Sequence, residues 1–274
     1  MTGPRAGTPG ADQTEPDQTK PDQTEPADRR AEPADRRAEL ATRLAEVRGR
    51  IELACAAAGR SADEVELLAV TKTRPASDLA LLLDLGLRAF GENRPQEAGA
   101  KVPELAALRP DTPPRWHLVG TLQRNKARAV ARWAARVESV DSARLADALD
   151  AAALRASDEG DRSGPLPVLI QVSLDGDPAR GGVPIPGLAE LADRVAGTAG
   201  LALHGVMAVA PLGAEPDHAF DTLRAAATDL WRRHPEALVV SAGMTADFER
   251  AIRYGSTCVR VGAALLGDRP LASP

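Results

Sequence analysis

Lys72 closes an apolar run, Leu67-Leu68-Ala69-Val70, inside the turn Thr71-Lys72-Thr73-Arg74-Pro75. An ammonium at the end of a buried strand is costly to desolvate without a partner. Burial lowers a lysine's pKa and makes it a usable amine nucleophile. A lysine reaching past the strand end to solvent fits the same sequence, and this residue alone does not separate the two readings.

Two later segments could hold an anion. Ser241-Ala242-Gly243-Met244 runs into a helical pattern that starts near Thr245 or Ala246. A glycine turn at a helix start presents free backbone N–H groups and the positive end of the dipole. Ser241 adds a hydroxyl donor. In Val259-Arg260-Val261-Gly262-Ala263, Gly262 permits close backbone approach. Each segment alone reads as an ordinary strand-to-helix turn, whereas both together with Lys72 favour a phosphate site. An amine-reactive aldehyde that also carries a phosphate is pyridoxal phosphate. Arg260, a donor-only cation, could then face the pyridine nitrogen, which would have to stay unprotonated, leaving the ring a weaker electron sink. A salt bridge elsewhere on the rim is the other reading of Arg260. Asn93 and Thr121, near the ends of the second and third strands, read as helix caps.

The elements that must position these residues alternate. Strands are predicted at 66–72, 88–91, 115–120, 136–140, 167–173, 201–209, 238–242 and 257–262. Helical patterns lie at 76–85, 94–107, 122–134, 142–156, 187–197, 215–233 and 246–254. In front, Leu40, Leu44, Val47, Ile51 and Ala54 recur at helical spacing, and Gly59 follows as a C-cap. Eight strand–helix units in this length predict a single α/β domain, a (β/α)8 TIM-type barrel, over residues 34–274. An open doubly wound sheet would show a glycine-rich turn after its first strand, and Thr71–Pro75 lacks one. Barrel chemistry sits at the C-terminal strand ends, with phosphate sites commonly at strands seven and eight. Lys72, Ser241 and Gly262 all fall there.

The 274 residues are 43% hydrophobic and 27% charged, a soluble globular composition. A net charge of −5 with 3% aromatics argues against a nucleic-acid binder. Residues 12–26 read DQTEPDQTKPDQTEP, and few apolar residues precede Leu40, so residues 1–33 are expected to be a disordered polar tail. The four histidines show no metal-ligand spacing. Cys55 and Cys258 allow one disulfide at most. No apolar run is long enough to span a membrane and the N-terminus is not signal-like, so a cytoplasmic protein without membrane contact is expected.

LLAVTKT (67–73), FGENRPQE (90–97), WHLVGTLQRNK (116–126), GVMAVAP (205–211) and SAGMTADFERAIRYGSTCVRVGAALLG (241–267) resemble the pyridoxal phosphate homeostasis protein family, whose barrel is similar to the N-terminal domain of alanine racemase. The resemblance implies a non-catalytic, monomeric carrier or buffer of pyridoxal phosphate that serves cofactor-dependent apoenzymes. It implies a Schiff base on Lys72, a phosphate cup from Ser241, Gly243, Gly262 and Ala263, Arg260 at the pyridine nitrogen, and Asn93 and Met207 lining the pocket. His117 and Gly120 fall in its third-strand motif with no chemistry assigned. The chain departs from the family where Ala263 replaces Thr or Ser, Ala242 replaces Met, and Arg180 stands where lysine is common. In its Gly- and Pro-rich loop, Arg180 is expected to assist cofactor entry electrostatically. An amino-acid racemase on the same cofactor is the alternative. It needs a second base opposite the lysine, and Tyr254 is the chain's one tyrosine. A phosphate-binding barrel enzyme without pyridoxal would lack visible colour.

Overall fold

The computed structural model describes residues 33–267 except 178–179, 212 and 214. The predicted tail therefore lies outside the described residues, apart from Pro33, which opens the first helix.

That helix, α1 (Pro33–Ala57), buries Leu40, Leu44, Val47, Ile51 and Cys55 along one stripe. Gly59 takes φ +68° beyond it. There follow β1 (Glu66–Val70), α2 (Ala76–Asp84), β2 (Ala89–Glu92), α3 (Pro95–Leu108), β3 (Arg115–Leu118), α4 (Ala127–Ala131) and β4 (Arg136–Val140). Then come α5 (Ala143–Asp158), β5 (Leu166–Ser173), β6 (Val183–Pro184), α6 (Leu188–Ala196), β7 (Leu201–Met207) and α7 (Pro216–Arg233). The chain ends with β8 (Val239–Met244), α8 (Phe248–Arg253), β9 (Cys258–Val261) and α9 (Ala263–Leu266).

Eight parallel strands close into a barrel: β1 pairs with β2 and β9, and the β4–β5 pairing completes the ring. This is the predicted TIM-type architecture. β6 is an addition, two residues that extend the edge of β5 through Val172 and Val183. A strand of that length shows no sequence period.

Strand alternation sorts the side chains. On β9, Val259 and Val261 join an outer apolar cluster with α1 and α2, while Arg260 between them turns inward. On β1, Ala69 faces that cluster, and Leu68 packs inside with Ala89 and Cys258. Phe90 of β2 is fully buried outside the barrel, its ring centroid 5.8 Å from that of Trp116. Each such side chain contributes about 1.5–3 kcal/mol of burial free energy. Cys55 and Cys258 are both free, so no disulfide joins them. No helix among the described residues is long and apolar enough to cross a membrane.

Candidate cofactor-binding site

A cavity of about 480 Å³ opens at the C-terminal ends of β1, β8 and β9. Its walls include Lys72, Arg74, Thr245, Arg260, Gly262 and Ala263. Lys72 reaches it because alternation continues past β1: Leu68 and Val70 face in, buried Thr71 faces out, and Lys72 faces in again. No side-chain partner of Lys72 is found among the described residues. Thr73 then takes φ +65°, and the Glu97 carboxylate accepts its N–H. Arg74 donates to the Gly267 carbonyl at 2.5 Å, tying the turn to the end of α9.

Beside β1, the wall formed at the end of β9 is backbone-rich. A Cβ built on Gly262 would meet only Val70, the nearest atom being its carbonyl oxygen at 3.4 Å. Protein packing therefore does not demand this glycine; its absent side chain leaves the cavity open. Ala263 begins α9, whose first N–H groups have no intrahelical acceptor.

Arg260 is only 5% exposed. Its Nη1 donates to Ser241 Oγ at 2.8 Å and its Nη2 to the Ala208 carbonyl at 2.8 Å. Ser241 in turn donates to Glu138 Oε2 at 2.6 Å. The other oxygen of Glu138 accepts from His117 Nδ1 at 2.9 Å and Arg136 Nε at 3.1 Å. Arg136 continues to Glu66 at 2.7 Å, and Glu66 also accepts from Arg115 at 2.8 Å. A polar file thus runs through the barrel from the cavity to the far end. Burial alone would raise the Glu138 pKa, but His117, Arg136 and Arg260 outweigh it and hold the carboxyl at about 2. The salt bridge open to Arg260 from sequence is thus answered: Arg260 reaches a carboxylate through Ser241, beneath the cavity.

The structure separates the remaining sequence-predicted residues. Lys72, Arg260, Gly262 and Ala263 share the cavity wall, while Ser241, Gly243, Asn93 and Met207 do not. Ser241 is fully buried and serves Arg260. Gly243 has φ +92°, and a Cβ there would stand 2.7 Å from both the Phe248 Cα and the Ala251 Cβ, so this glycine serves the seating of α8. Met207 is buried on β7 beside Ser241. Asn93 is half-buried, and its carbonyl sits where a Cβ on Gly120 would be 2.2 Å away, which explains Gly120. Arg180 binds the Val209 and Ala210 carbonyls at 3.1 and 2.8 Å. It braces the loops after β5 and β7. Sequence reasoning missed Thr245, although it flanks the Gly243 turn, and Glu138, whose partners are Arg136 on its own strand, His117 on β3 and Ser241 on β8.

A larger hollow of about 690 Å³ lies at the N-terminal strand ends, lined by Arg88, Arg115, Arg136 and Glu66. Its Arg115 and Arg136 are engaged by Glu66, and it contains no lysine.

A family model for the alanine racemase N-terminal domain matches residues 43–270. A curated relative from Mycobacterium leprae, named pyridoxal phosphate homeostasis protein, is 47% identical over 235 residues, covering 83% of this chain and 91% of its own. One of the same name from Escherichia coli K12 is 38% identical over 225 residues, covering 81% and 93%. The chain belongs to the pyridoxal phosphate homeostasis protein family. PipY of Synechococcus elongatus PCC7942, solved with PLP bound, matches with a TM-score of 0.69 and 34% identity, covering 83% of this chain and 100% of PipY. Alanine racemase from Corynebacterium glutamicum shares the fold, with a TM-score of 0.60 at 17% identity. This homeostasis-family chain covers only 62% of that racemase chain.

Proposed function

We propose that this chain binds pyridoxal phosphate and buffers or carries it, with Lys72 holding the cofactor as a Schiff base. The observation that carries the reading is one cavity lined by an unpaired lysine, a buried arginine and an open glycine wall. Its donors fit the group. Lys72 would hold the aldehyde carbon, Arg260 would face the ring nitrogen, and Gly262, Ala263 and Thr245 would receive the phosphate. When bound, pyridoxal phosphate supplies an electrophilic carbon and an electron-withdrawing ring. Family membership and the PLP-bound PipY structure support the same reading.

The residues around the cavity support a non-catalytic role. Arg260 donates to Ser241 and to the Ala208 carbonyl, and an arginine side chain offers hydrogen-bond donors and no acceptor. A donor there leaves the ring nitrogen unprotonated and limits carbanion stabilisation. Tyr254 follows α8 and packs against the outer core, so it supplies no second base in the cavity. A monomer that hands its cofactor to apoenzymes in the cytoplasm completes the reading, by kinship with the homeostasis proteins.

Protein purified without added cofactor is expected to absorb in the visible, and borohydride should fix an adduct on the peptide carrying Lys72. Colourless protein that stays colourless on titration with pyridoxal phosphate would refute the proposal. Incubation with L-alanine in deuterated water should give little α-deuteration. Exchange at about 1 s⁻¹ or faster, the low end for ordinary enzymes, would favour the racemase instead.

A further inference from the structure

Thr71 and Thr73, on either side of Lys72, are both tied to one buried ammonium. Lys101 of α3 is 6% exposed. Its Nζ donates to the Thr71 carbonyl at 2.9 Å, to Glu92 Oε1 at 2.5 Å and to Glu97 Oε1 at 3.2 Å. That uses all three donors of an ammonium. The same oxygen of Glu92 accepts the Thr71 hydroxyl at 2.6 Å, and the same oxygen of Glu97 accepts the Thr73 N–H. Lys101 therefore grips the turn directly at Thr71 and through Glu97 at Thr73. This cluster lies between the barrel and α3, and Lys72 faces the other way into the cavity.

The turn needs such a grip. Thr73 has φ +65°, a region in which a β-branched residue is strained. A free loop would relax from it and take the Lys72 amine along. The cluster is also tightly interdependent. Glu92 is fully buried and its Oε2 has no hydrogen-bond partner, so Lys101 is the cation that makes this carboxylate tolerable.

We propose that Lys101 is a positioning residue: through Thr71 and Glu97 it locks the strained turn and so fixes where the Lys72 amine stands in the cavity. The inference rests on the reading of Lys72 as the cofactor-holding residue.

Two ligands separate positioning from general damage. Pyridoxal phosphate engages the amine as well as the phosphate wall, whereas pyridoxine phosphate has no aldehyde and engages only the wall. Lys101→Met is expected to weaken pyridoxal phosphate about tenfold, equivalent to about 1.4 kcal/mol, with pyridoxine phosphate affinity within about twofold of wild type. Adding Thr73→Gly should restore part of the loss by removing the cost of the left-handed conformation. Should Lys101→Met fail to fold, Glu97→Gln on the more exposed rim reads the same split at smaller size. Equal weakening of both ligands, or no weakening of either, would overturn the proposal. Hydrogen exchange at the Thr73 amide of cofactor-free protein should be faster in both variants. Unchanged exchange refutes the clamp even if the cofactor binds. Faster exchange in variants of a protein that binds no pyridoxal phosphate would instead leave the clamp standing and refute the functional reading.

Discussion

Glu138→Ala is expected to destabilise the barrel by about 3–5 kcal/mol, the cost of breaking a buried ion pair from one side. Glu138 is fully buried and receives His117, Arg136 and Ser241. Truncation leaves Arg136 with Glu66 as its one carboxylate partner and removes the acceptor that orients Ser241 beneath Arg260. Glu138→Gln should cost less, because its amide keeps one acceptor oxygen and fills the same space. The charge has a pH signature. The folded carboxyl titrates at about 2, below the ordinary value of about 4.3. In that window the unfolded chain binds more protons, so stability falls as pH falls. The contribution is complete above about pH 4.3 and is lost progressively towards pH 2. Urea unfolding of wild type should therefore decline more steeply over that range than unfolding of Glu138→Gln. Parallel declines, or a loss below about 1 kcal/mol for Glu138→Ala at pH 7, in the range of an ordinary neutral hydrogen bond, would show that the polar file is solvated rather than sealed.

The parts of this site legible in the sequence are those set by strand period and turn chemistry. Lys72 and Arg260 stand at strand ends, and alternation fixes the side on which each appears. Gly262 ends the last strand, where only a small residue leaves the wall open. Ser241 shows where such reading stops. A hydroxyl beside a glycine turn suggests an anion ligand, yet period two places Ser241 inside the barrel, three residues before the Met244–Ala246 rim. Its acceptor, Glu138, is 103 residues away, and no local pattern announces so distant a partner. Arg180 is similar. A cation in a Gly- and Pro-rich loop suggests a mobile ligand attractor, whereas two carbonyls after β7 engage it. The helix predicted over 122–134 shrinks to α4 behind a 3-10 turn at Arg124–Lys126, because an apolar run shows burial without showing the winding of the backbone.

Lys72→Ala is expected to abolish the borohydride-stable adduct and the visible absorbance while the protein stays folded. The fold should tolerate the change because Lys72 is half-buried at the cavity and has no side-chain partner among the described residues. Losing such a side chain costs within about 0.5 kcal/mol. The residual wall of Gly262, Ala263, Thr245 and Arg260 remains, so weaker, reversible binding of pyridoxal phosphate should persist. Lys72→Arg sharpens the test. Arginine keeps the positive charge at the cavity but stays protonated and offers no amine nucleophile. If the lysine acts only as a cation for the phosphate, Lys72→Arg will bind like wild type. If it holds the aldehyde carbon, Lys72→Arg will fail like Lys72→Ala. Lys101 and Lys126 provide the internal control. Lys101 has its three donors engaged behind the turn, and Lys126 lies outside the cavity wall. An adduct that persists in Lys72→Ala and maps to either of them would move the attachment point and remove the reason for placing the cofactor in this cavity.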